Sequence, residues 1–265
     1  MRTVIIDGDI LIYKIPDDAL NCVTVQSDET ENAIYRIIEV GSKKRIEKYL
    51  INKIKQIAER TKSAKAVVCL SSNSNFRKKL LPEYKGNRKK IKPLQYEYVR
   101  NFLHENYMCF EREGLEADDL IGIIATHYGR LKNIPEGERV IWSMDKDFKT
   151  IPGTFYKEKA DGSLKKHVIS CNEADYNMLY QTLIGDSTDG YTGCPNIGDK
   201  KARKILGEID NFEMNSAWKN VVSAYEKQGL TEDDALVQAR CARILRAQDY
   251  DFKTKKIQLW QKTHS

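Results

Sequence analysis

Short, largely apolar runs alternate with amphipathic segments in the first half of the chain. Buried strands are predicted at three of these runs, residues 3–6, 66–70 and 139–144. Helices are predicted at residues 42–62, 95–105 and 116–128, where apolar side chains recur at helical spacing. Because strands that alternate with helices form parallel sheets covered by helices, the sequence predicts an α/β fold with a central, mostly parallel sheet.

Helical spacing dominates the rest of the chain, since the strand signals weaken beyond Ile151. Helices are predicted at residues 176–184, 199–206, 215–227 and 232–246, while residues 21–40 fit either a hairpin or an irregular excursion. We therefore expect an α/β core over residues 1–160, which includes a basic arch at 76–110. A helical region with a helix-hairpin-helix around 180–206 is expected over residues 161–265, packed with the core as one compact unit.

Eight carboxylates fall at the ends of predicted strands or at the ends of predicted helices. They are Asp7, then Glu116, Asp118 and Asp119, then Asp145 and Asp147, and finally Asp186 and Asp189. Ligands of parallel sheets bind at the carboxyl ends of the strands, so acids far apart in sequence can meet there. Taken singly, each motif could be only a turn or a helix cap. Taken together they favour a site for Mg²⁺, whose preferred ligands are carboxylate oxygens.

A basic strip lies between the first and second acidic motifs. It contains Arg77, Lys78, Lys79, Lys85, Arg88, Lys89, Lys90 and Lys92 against a single acid, Glu83. Such a strip can be a solvated, lysine-rich loop. Beside an acidic metal pocket it suits phosphodiester chemistry on a nucleic acid, with fixed cations for phosphates and Tyr84 to stack on an unpaired base.

A glycine-rich turn, from Gly193 to Gly198, joins two predicted helices, and Lys200 and Lys201 follow it directly. A turn of this kind exposes backbone N–H groups to a phosphate, and the lysines add positive charge. The segment resembles a helix-hairpin-helix, which grips the backbone of a duplex without reading its sequence.

Composition adds few constraints. The net charge of +6 over 265 residues is a weak sign of a polyanionic partner, and the segregation of acids from bases is the stronger one. The six cysteines have no zinc spacing, which favours free thiols in a reducing compartment. Neither a signal peptide nor a membrane-length apolar run is recognisable, so we expect a cytoplasmic protein without a membrane partner.

The order of these motifs resembles the 5′ nuclease family, which comprises flap endonucleases and 5′-to-3′ exonucleases. The resemblance spans roughly residues 3–206 and is greatest to the short 5′-to-3′ exonucleases of T-odd phages, through residues 145–152, 185–191, 242–246 and 259–260. It implies a PIN-like core, a helical arch or clamp over the site, and a helix-hairpin-helix with an extra turn. It also implies two Mg²⁺ ions, for which Mn²⁺ can substitute, and a K⁺ ion at the hairpin.

The resemblance assigns roles to the acids and bases. Asp7, Glu116 and Asp118 would hold one ion, Asp145, Asp147, Asp186 and Asp189 the other, and Asp119 could serve either. Lys85 and Arg88 would lie over the scissile phosphate and stabilise its developing charge. DNA contacts are expected from Arg77, Lys78, Tyr84, Lys85, Arg88, Lys89, Lys90, Gly193, Gly198, Lys200 and Lys201.

The expected substrate is DNA with a 5′ end, either duplex or flap, with the RNA strand of an RNA–DNA hybrid as a further substrate. The expected state is a monomer, in the host cytoplasm if the protein is phage-encoded. The chain departs from the family at Ser72, where an acid normally follows the second strand. A neutral side chain there would weaken one metal site, so the alternative is a weakened member that acts mainly as a structure-specific DNA-binding protein.

Two other classes share part of the pattern. A haloacid-dehalogenase-type phosphatase also has an Asp-x-Asp after its first strand, which Asp7 and Asp9 would supply. That reading leaves the acids at 116–119 and the pair Lys85 and Arg88 unexplained. A PIN-type ribonuclease is disfavoured by the arch and by the hairpin after Asp189.

Overall fold

The computed structural model describes residues 1–20, 22–26, 34–38, 43–87, 92–131, 133–134 and 136–262. The strands are β1 (Thr3–Asp7), β2 (Cys22–Gln26), β3 (Ile34–Ile38), β4 (Lys65–Leu70), β5 (Met108–Glu111), β6 (Arg139–Ser143), β7 (Gly153–Glu158), β8 (Leu164–Ile169), β9 (Tyr250–Asp251) and β10 (Lys256–Ile257). The helices are α1 (Gly8–Tyr13), α2 (Asp17–Leu20), α3 (Lys43–Arg60), α4 (Tyr96–Asn106), α5 (Ala117–Thr126), α6 (Cys171–Ile184), α7 (Asp199–Leu206), α8 (Met214–Glu226) and α9 (Glu232–Ala242).

A six-stranded sheet with the order β5-β4-β1-β6-β7-β8 forms the centre of the α/β core. Its strands pair in parallel except β8, which runs antiparallel to β7. The predicted parallel sheet is therefore confirmed. The sequence reading did not predict β5, β7 or β8, because β5 is only four residues long and β8 is an edge strand with exposed lysines. In the ambiguous segment 21–40, β2 and β3 pair as antiparallel strands.

Helices cover both faces of the sheet. Alternate side chains of β1 point to opposite faces, so Val4 and Ile6 pack with α3 and α4, while Ile5 packs with α5. The predicted arch segment 76–110 therefore includes parts of the core layers, since α4 and β5 belong to them. Residues 88–91 of that segment lie outside the described residues.

A second apolar cluster is built by α6, α7, α8 and α9 around the fully buried Trp218 and Tyr225. After α9 the chain returns to the sheet, where Ile244 and Leu245 pack on α5. The helix predicted at 232–246 ends earlier, at Ala242, because the next residues leave the helix to make ion pairs; Arg243, for example, pairs with Asp249 at 2.9 Å. No helix in the described ranges is long and apolar enough to span a bilayer.

Candidate active site

Asp7 ends the central strand β1 and lies beside the end of β6. Its Oδ2 accepts a hydrogen bond from the hydroxyl of Ser143 at 2.8 Å, and its Oδ1 accepts one from the N–H of Ile10 at 3.4 Å. Burial, followed by the charge of Asp9, raises the pKa of Asp7 to about 7 in spite of these hydrogen bonds. Ionisation of this carboxyl group is therefore costly unless a cation lies near it.

Glu116 and Asp118 lie at the start of α5, on the same side of the sheet as Asp7. The carboxylate of Glu116 accepts hydrogen bonds from Lys85 Nζ at 2.5 Å and from Arg77 at 3.2 Å. Burial alone would raise the pKa of Glu116, but these two cations lower it. Asp118 is different, because burial and the charge of Asp7 raise its pKa well above the ordinary value.

Asp119 is predicted from the sequence to be a metal ligand, but it is not among the residues that line the cavity described below. Its side chain is fully buried and faces Arg77. Both of its oxygens accept hydrogen bonds from Arg77, at 2.7 and 2.8 Å, and it also accepts from the N–H groups of Glu116 and Leu245, both at 3.2 Å. With these partners, Asp119 has a structural role in holding the start of α5.

Asp145 and Asp147 follow β6. Asp145 Oδ1 accepts the N–H of Asp147 at 2.9 Å, which folds the motif into a tight turn. Gln181 of α6 donates to Asp147 Oδ1 at 2.7 Å and so connects this turn to the helical region. Burial, followed by the charge of Asp145, raises the pKa of Asp147 to about 6.

Asp186 and Asp189 lie in the loop after α6. Asp186 Oδ1 accepts the N–H groups of Thr188 at 2.7 Å and of Asp189 at 3.2 Å. Asp189 Oδ2 accepts a hydrogen bond from the hydroxyl of Tyr84 at 2.9 Å. Local turn geometry thus presents both carboxylates on one side of the loop.

One cavity of about 660 Å³ collects these groups. The carboxylates that line it are Asp7, Asp9, Glu116, Asp118, Asp145, Asp147, Asp186 and Asp189. Every acid predicted for the site lines this cavity except Asp119, and Asp9 joins them. Acids from four separate segments therefore meet at one edge of the sheet, as the strand-end argument predicts.

Lys85 is the cation held among these acids. The ammonium group of Lys85 lies 2.5 Å from the carboxylate of Glu116 and 3.4 Å from that of Asp189. The backbone N–H of Lys85 donates to the backbone carbonyl of Asp189 at 2.7 Å. Its φ of 54° is a left-handed conformation that costs a residue with a side chain about 1–2 kcal/mol. Gly190 of the opposite loop packs closely on this segment, since a Cβ atom at Gly190 would lie 2.9 Å from the carbonyl of Glu83.

Apart from Tyr84 and Gly193, which are described below, the other predicted nucleic-acid contacts fall into three groups. Lys78 is exposed at the rim of the cavity, whereas Arg77 is buried and committed to its ion pairs with Asp119 and Glu116. Arg88, Lys89 and Lys90 lie outside the described residues. At the hairpin, Gly198, Lys200 and Lys201 are exposed at the start of α7, and none of them lines the carboxylate cavity.

The sequence predicts that the ring of Tyr84 stacks on an unpaired base, whereas in the structure the ring is buried. The side chain is only 2% exposed, and its ring stacks on Tyr191 with centroids 6.4 Å apart. Its hydroxyl donates to Glu116 at 3.2 Å and Asp189 at 2.9 Å. Tyr84 therefore positions two carboxylates of the cavity, and its ring is not open to a base.

Gly193 also has a packing role. A Cβ atom there would lie 2.3 Å from the N atom of Gly185, so only glycine allows the two ends of the loop to approach this closely. Its N–H donates to Gln238 at 2.8 Å and is not free for a phosphate. A contact between Gly193 and nucleic acid therefore stays a prediction from the sequence.

Four residues near the site were not predicted as part of it: Asp9, which the sequence analysis used only for the phosphatase alternative, and Ser71, Ser143 and Gln181. Asp9 is the one with a signal in the sequence, since it completes the Asp-Gly-Asp that ends the first strand. Ser71, Ser143 and Gln181 act by hydrogen bonds to carboxylates or to the start of α5, and such bonds leave no spacing pattern.

The donor set fits Mg²⁺. Within the described ranges, no three acidic, cysteine or histidine side chains converge closely enough to form a ready-made metal cage. Mg²⁺ does not require one, because it keeps several waters and is bound by one or two carboxylates together with substrate phosphates. Oxygen donors surround the cavity, and burial, followed by nearby carboxylates, raises the pKa values of Asp7, Asp118 and Asp147, so a bound cation would favour their ionised forms.

Comparison with known proteins identifies the family. The model of the 5′-3′ exonuclease, N-terminal resolvase-like domain, matches residues 2–155. The exonuclease of Escherichia phage T7 is 31% identical over 97% of this chain and 92% of its own length. The exodeoxyribonuclease of Enterobacteria phage T3 is also 31% identical, over 97% of this chain and 91% of its own length. The chain belongs to the 5′-3′ exonuclease family.

Solved structures support the fold. The T5 D15 protein, co-crystallised with metal ions, superposes with a TM-score of 0.60 at 15% identity over 91% of each chain. A variant of the bacteriophage T5 D15 flap endonuclease, in a complex with DNA and metal ions, gives 0.56 at 17% identity over 91% of each chain. The predicted PIN-like fold class and the resemblance to phage exonucleases are confirmed, and the phosphatase alternative is not supported.

Proposed function

We propose that the protein is a metal-dependent nuclease that hydrolyses DNA from a 5′ end or at a 5′ flap. The observation that carries the proposal is the single cavity in which seven of the eight predicted carboxylates meet Lys85. Membership of the exonuclease family and the DNA complex of the structurally similar T5 flap endonuclease support the same substrate class.

Two divalent ions would be held by the two halves of the cavity. Asp7, Glu116 and Asp118 would bind one, and Asp145, Asp147, Asp186 and Asp189 the other, partly through waters. When bound, such a pair supplies an activated water and stabilises the leaving oxygen of an in-line displacement. Mg²⁺ is the proposed ion, with Mn²⁺ as a substitute, because the donors are hard oxygens.

Lys85 would stabilise the charge that develops on the scissile phosphate. Its ammonium group is now paired with Glu116 and Asp189, which hold it at the cavity and keep its pKa raised against the opposing effect of burial. Arg88 is proposed for the same role from its position in the sequence.

The remaining contacts would bind the sugar–phosphate backbone. Lys78 at the cavity rim and the exposed start of α7, with Gly198, Lys200 and Lys201, offer charge and backbone N–H groups. Lys89 and Lys90 are proposed from the sequence. Binding of this kind is tolerant of sequence and sensitive to salt. Cleavage of the RNA strand of a hybrid, a K⁺ ion at the hairpin and a monomeric state are proposed from the resemblance alone. A cytoplasmic location stays the expectation drawn from the sequence.

Ser72 favours a second candidate, a weakened nuclease that acts mainly by binding branched DNA. Its hydroxyl donates to the carbonyl of Ser74 at 2.7 Å and accepts the N–H of Gly114 at 3.1 Å, so it stabilises the loop and adds no charge.

A cleavage assay separates the two candidates. End-labelled 5′-flap and blunt duplex DNA would be incubated with the protein and Mg²⁺, Mn²⁺ or a chelator. The proposal expects metal-dependent products whose sizes give the polarity and the cutting position. Tight binding of the flap without any cleavage in either metal would establish the DNA-binding alternative.

A further inference from the structure

The loop after β4, residues 71–75, contains no carboxylate, and the start of α1 lies against the end of β4. Gly8 makes the close approach possible, because a Cβ atom at this position would lie 2.6 Å from the side chain of Leu70 and 2.7 Å from the carbonyl of Cys69. The residue after Gly8 is therefore brought directly to the end of β4.

That residue is Asp9. Its Oδ1 accepts the backbone N–H of Ser71 at 3.2 Å, and it also receives a hydrogen bond from the Ser71 hydroxyl. The carboxylate lines the same cavity as Asp7 and Glu116. A side chain from α1 thus brings a negative charge to the residue next to Ser72.

The hydrogen bonds that Asp9 makes do not require a carboxylate at this position. The cap of α1 is supplied by Asp7, which accepts the N–H of Ile10. An asparagine at position 9 would offer the same acceptor oxygen to Ser71. A carboxylate at this position instead gives the cavity a further hard oxygen donor beside Asp7, the type of ligand that Mg²⁺ prefers.

We propose that Asp9 contributes to binding of a divalent ion in the cavity, and so supplies from α1 the carboxylate that Ser72 does not supply from the loop after β4. The inference rests on the proposed function, because it requires a metal site at this edge of the sheet. It also explains how a family member with Ser72 retains the negative charge of the site.

Mn²⁺ titration followed by the electron paramagnetic resonance signal of the free ion tests the inference without using activity. Asp9→Asn should lower the Mn²⁺ affinity by about 10-fold or more. Asp210→Asn, the same change at an exposed residue, should leave the affinity unchanged. In chelator, Asp9→Asn should be at least as heat-stable as the wild-type protein, whereas a purely structural aspartate would lose stability.

Ser72→Asp completes a double-mutant cycle. Ser72→Asp should restore the Mn²⁺ affinity of the Asp9→Asn protein and should raise the Mn²⁺ affinity of the wild-type protein only slightly. Unchanged affinity in Asp9→Asn, or an equal gain from Ser72→Asp in both backgrounds, would overturn this inference alone. If the wild-type protein binds no Mn²⁺, the proposed function fails and this inference fails with it.

Discussion

The guanidinium group of Arg77 and the carboxylate of Asp119 form a buried, bidentate ion pair with N–O distances of 2.8 and 2.7 Å. Arg77 also donates to the carbonyls of Cys241 and Arg243, and Asp119 accepts the N–H of Leu245. The base of the predicted arch, the start of α5 and the segment after α9 are therefore joined at one point behind the cavity.

We expect Asp119→Asn to destabilise the protein by about 3–5 kcal/mol, because it leaves a buried guanidinium group without its counter-charge. Urea unfolding would measure the change. The control is Glu59→Gln, which breaks a 3.9 Å pair with Lys55 on the exposed face of α3 and should have no measurable effect. A small loss in Asp119→Asn would show that the buried pair does not hold these segments together.

Asp186→Asn should abolish cleavage and leave DNA binding largely intact. The asparagine retains an acceptor oxygen for the N–H groups of Thr188 and Asp189, so the loop should keep its shape while the site loses a charge. Single-turnover cleavage and equilibrium binding of the same flap DNA would be compared, with Asp210→Asn as the charge-matched control. Unchanged turnover would refute the assignment of Asp186 to the metal site.

Lys85→Ala and Lys78→Ala should have opposite signatures. Lys85 lies among the carboxylates, so its loss should reduce the cleavage rate more than the affinity. Lys78 is exposed at the rim, so its loss should weaken binding and reduce the salt slope by about one, with little effect on the rate. A pure loss of affinity in Lys85→Ala would make it an ordinary phosphate contact.

Metal should stabilise the protein more at about pH 8 than at about pH 5.5. Burial and the charge of Asp9 raise the pKa of Asp7 to about 7 from an ordinary 3.8, so the folded state binds this proton more tightly than the unfolded state. In chelator, the contribution of Asp7 to the free energy of unfolding is therefore lost as pH rises through about 7. Mg²⁺ offsets the charge and should restore stability there.

Thermal unfolding at both pH values, with chelator or Mg²⁺, would measure these effects. Asp7→Asn should reduce both the pH dependence and the response to Mg²⁺. An equal Mg²⁺ shift at the two pH values in the wild-type protein would contradict the prediction.

Gly190→Ala should reduce cleavage and stability more than Gly207→Ala. Both glycines have a φ of 75°, so the backbone strain of the substitution is the same. A Cβ atom at Gly190 would lie 2.9 Å from the carbonyl of Glu83 and 3.3 Å from the N atom of Lys85, whereas at Gly207 it meets nothing within 4 Å. The difference in cleavage rate and stability between the two variants measures the effect of the close contact between Gly190 and the segment that carries Lys85. Equal losses in the two variants would mean that backbone strain alone is responsible.

Local sequence patterns are enough to predict the architecture and most residues of the acidic cavity. Patterns of apolar residues are local, and they identified β1, β4, β6 and the long helices that cover them. The position of acids at strand ends identified the side of the sheet where Asp7 and Asp145 meet, since parallel strands share one carboxyl edge. The weakly patterned β5, β7 and β8 depend on neighbouring strands for their stability, so local signals did not reveal them.

The role of each side chain within the cavity depends on the folded chain. Asp118 and Asp119 are neighbours in one motif, yet their positions on α5 differ by about a quarter of a turn, so one faces the cavity and the other faces Arg77. Tyr84 belongs to a basic strip but is buried by Tyr191, and Asp9 reaches the loop after β4 because Gly8 allows close packing. These outcomes depend on contacts between residues that are distant in the sequence, and local sequence patterns do not reveal such contacts.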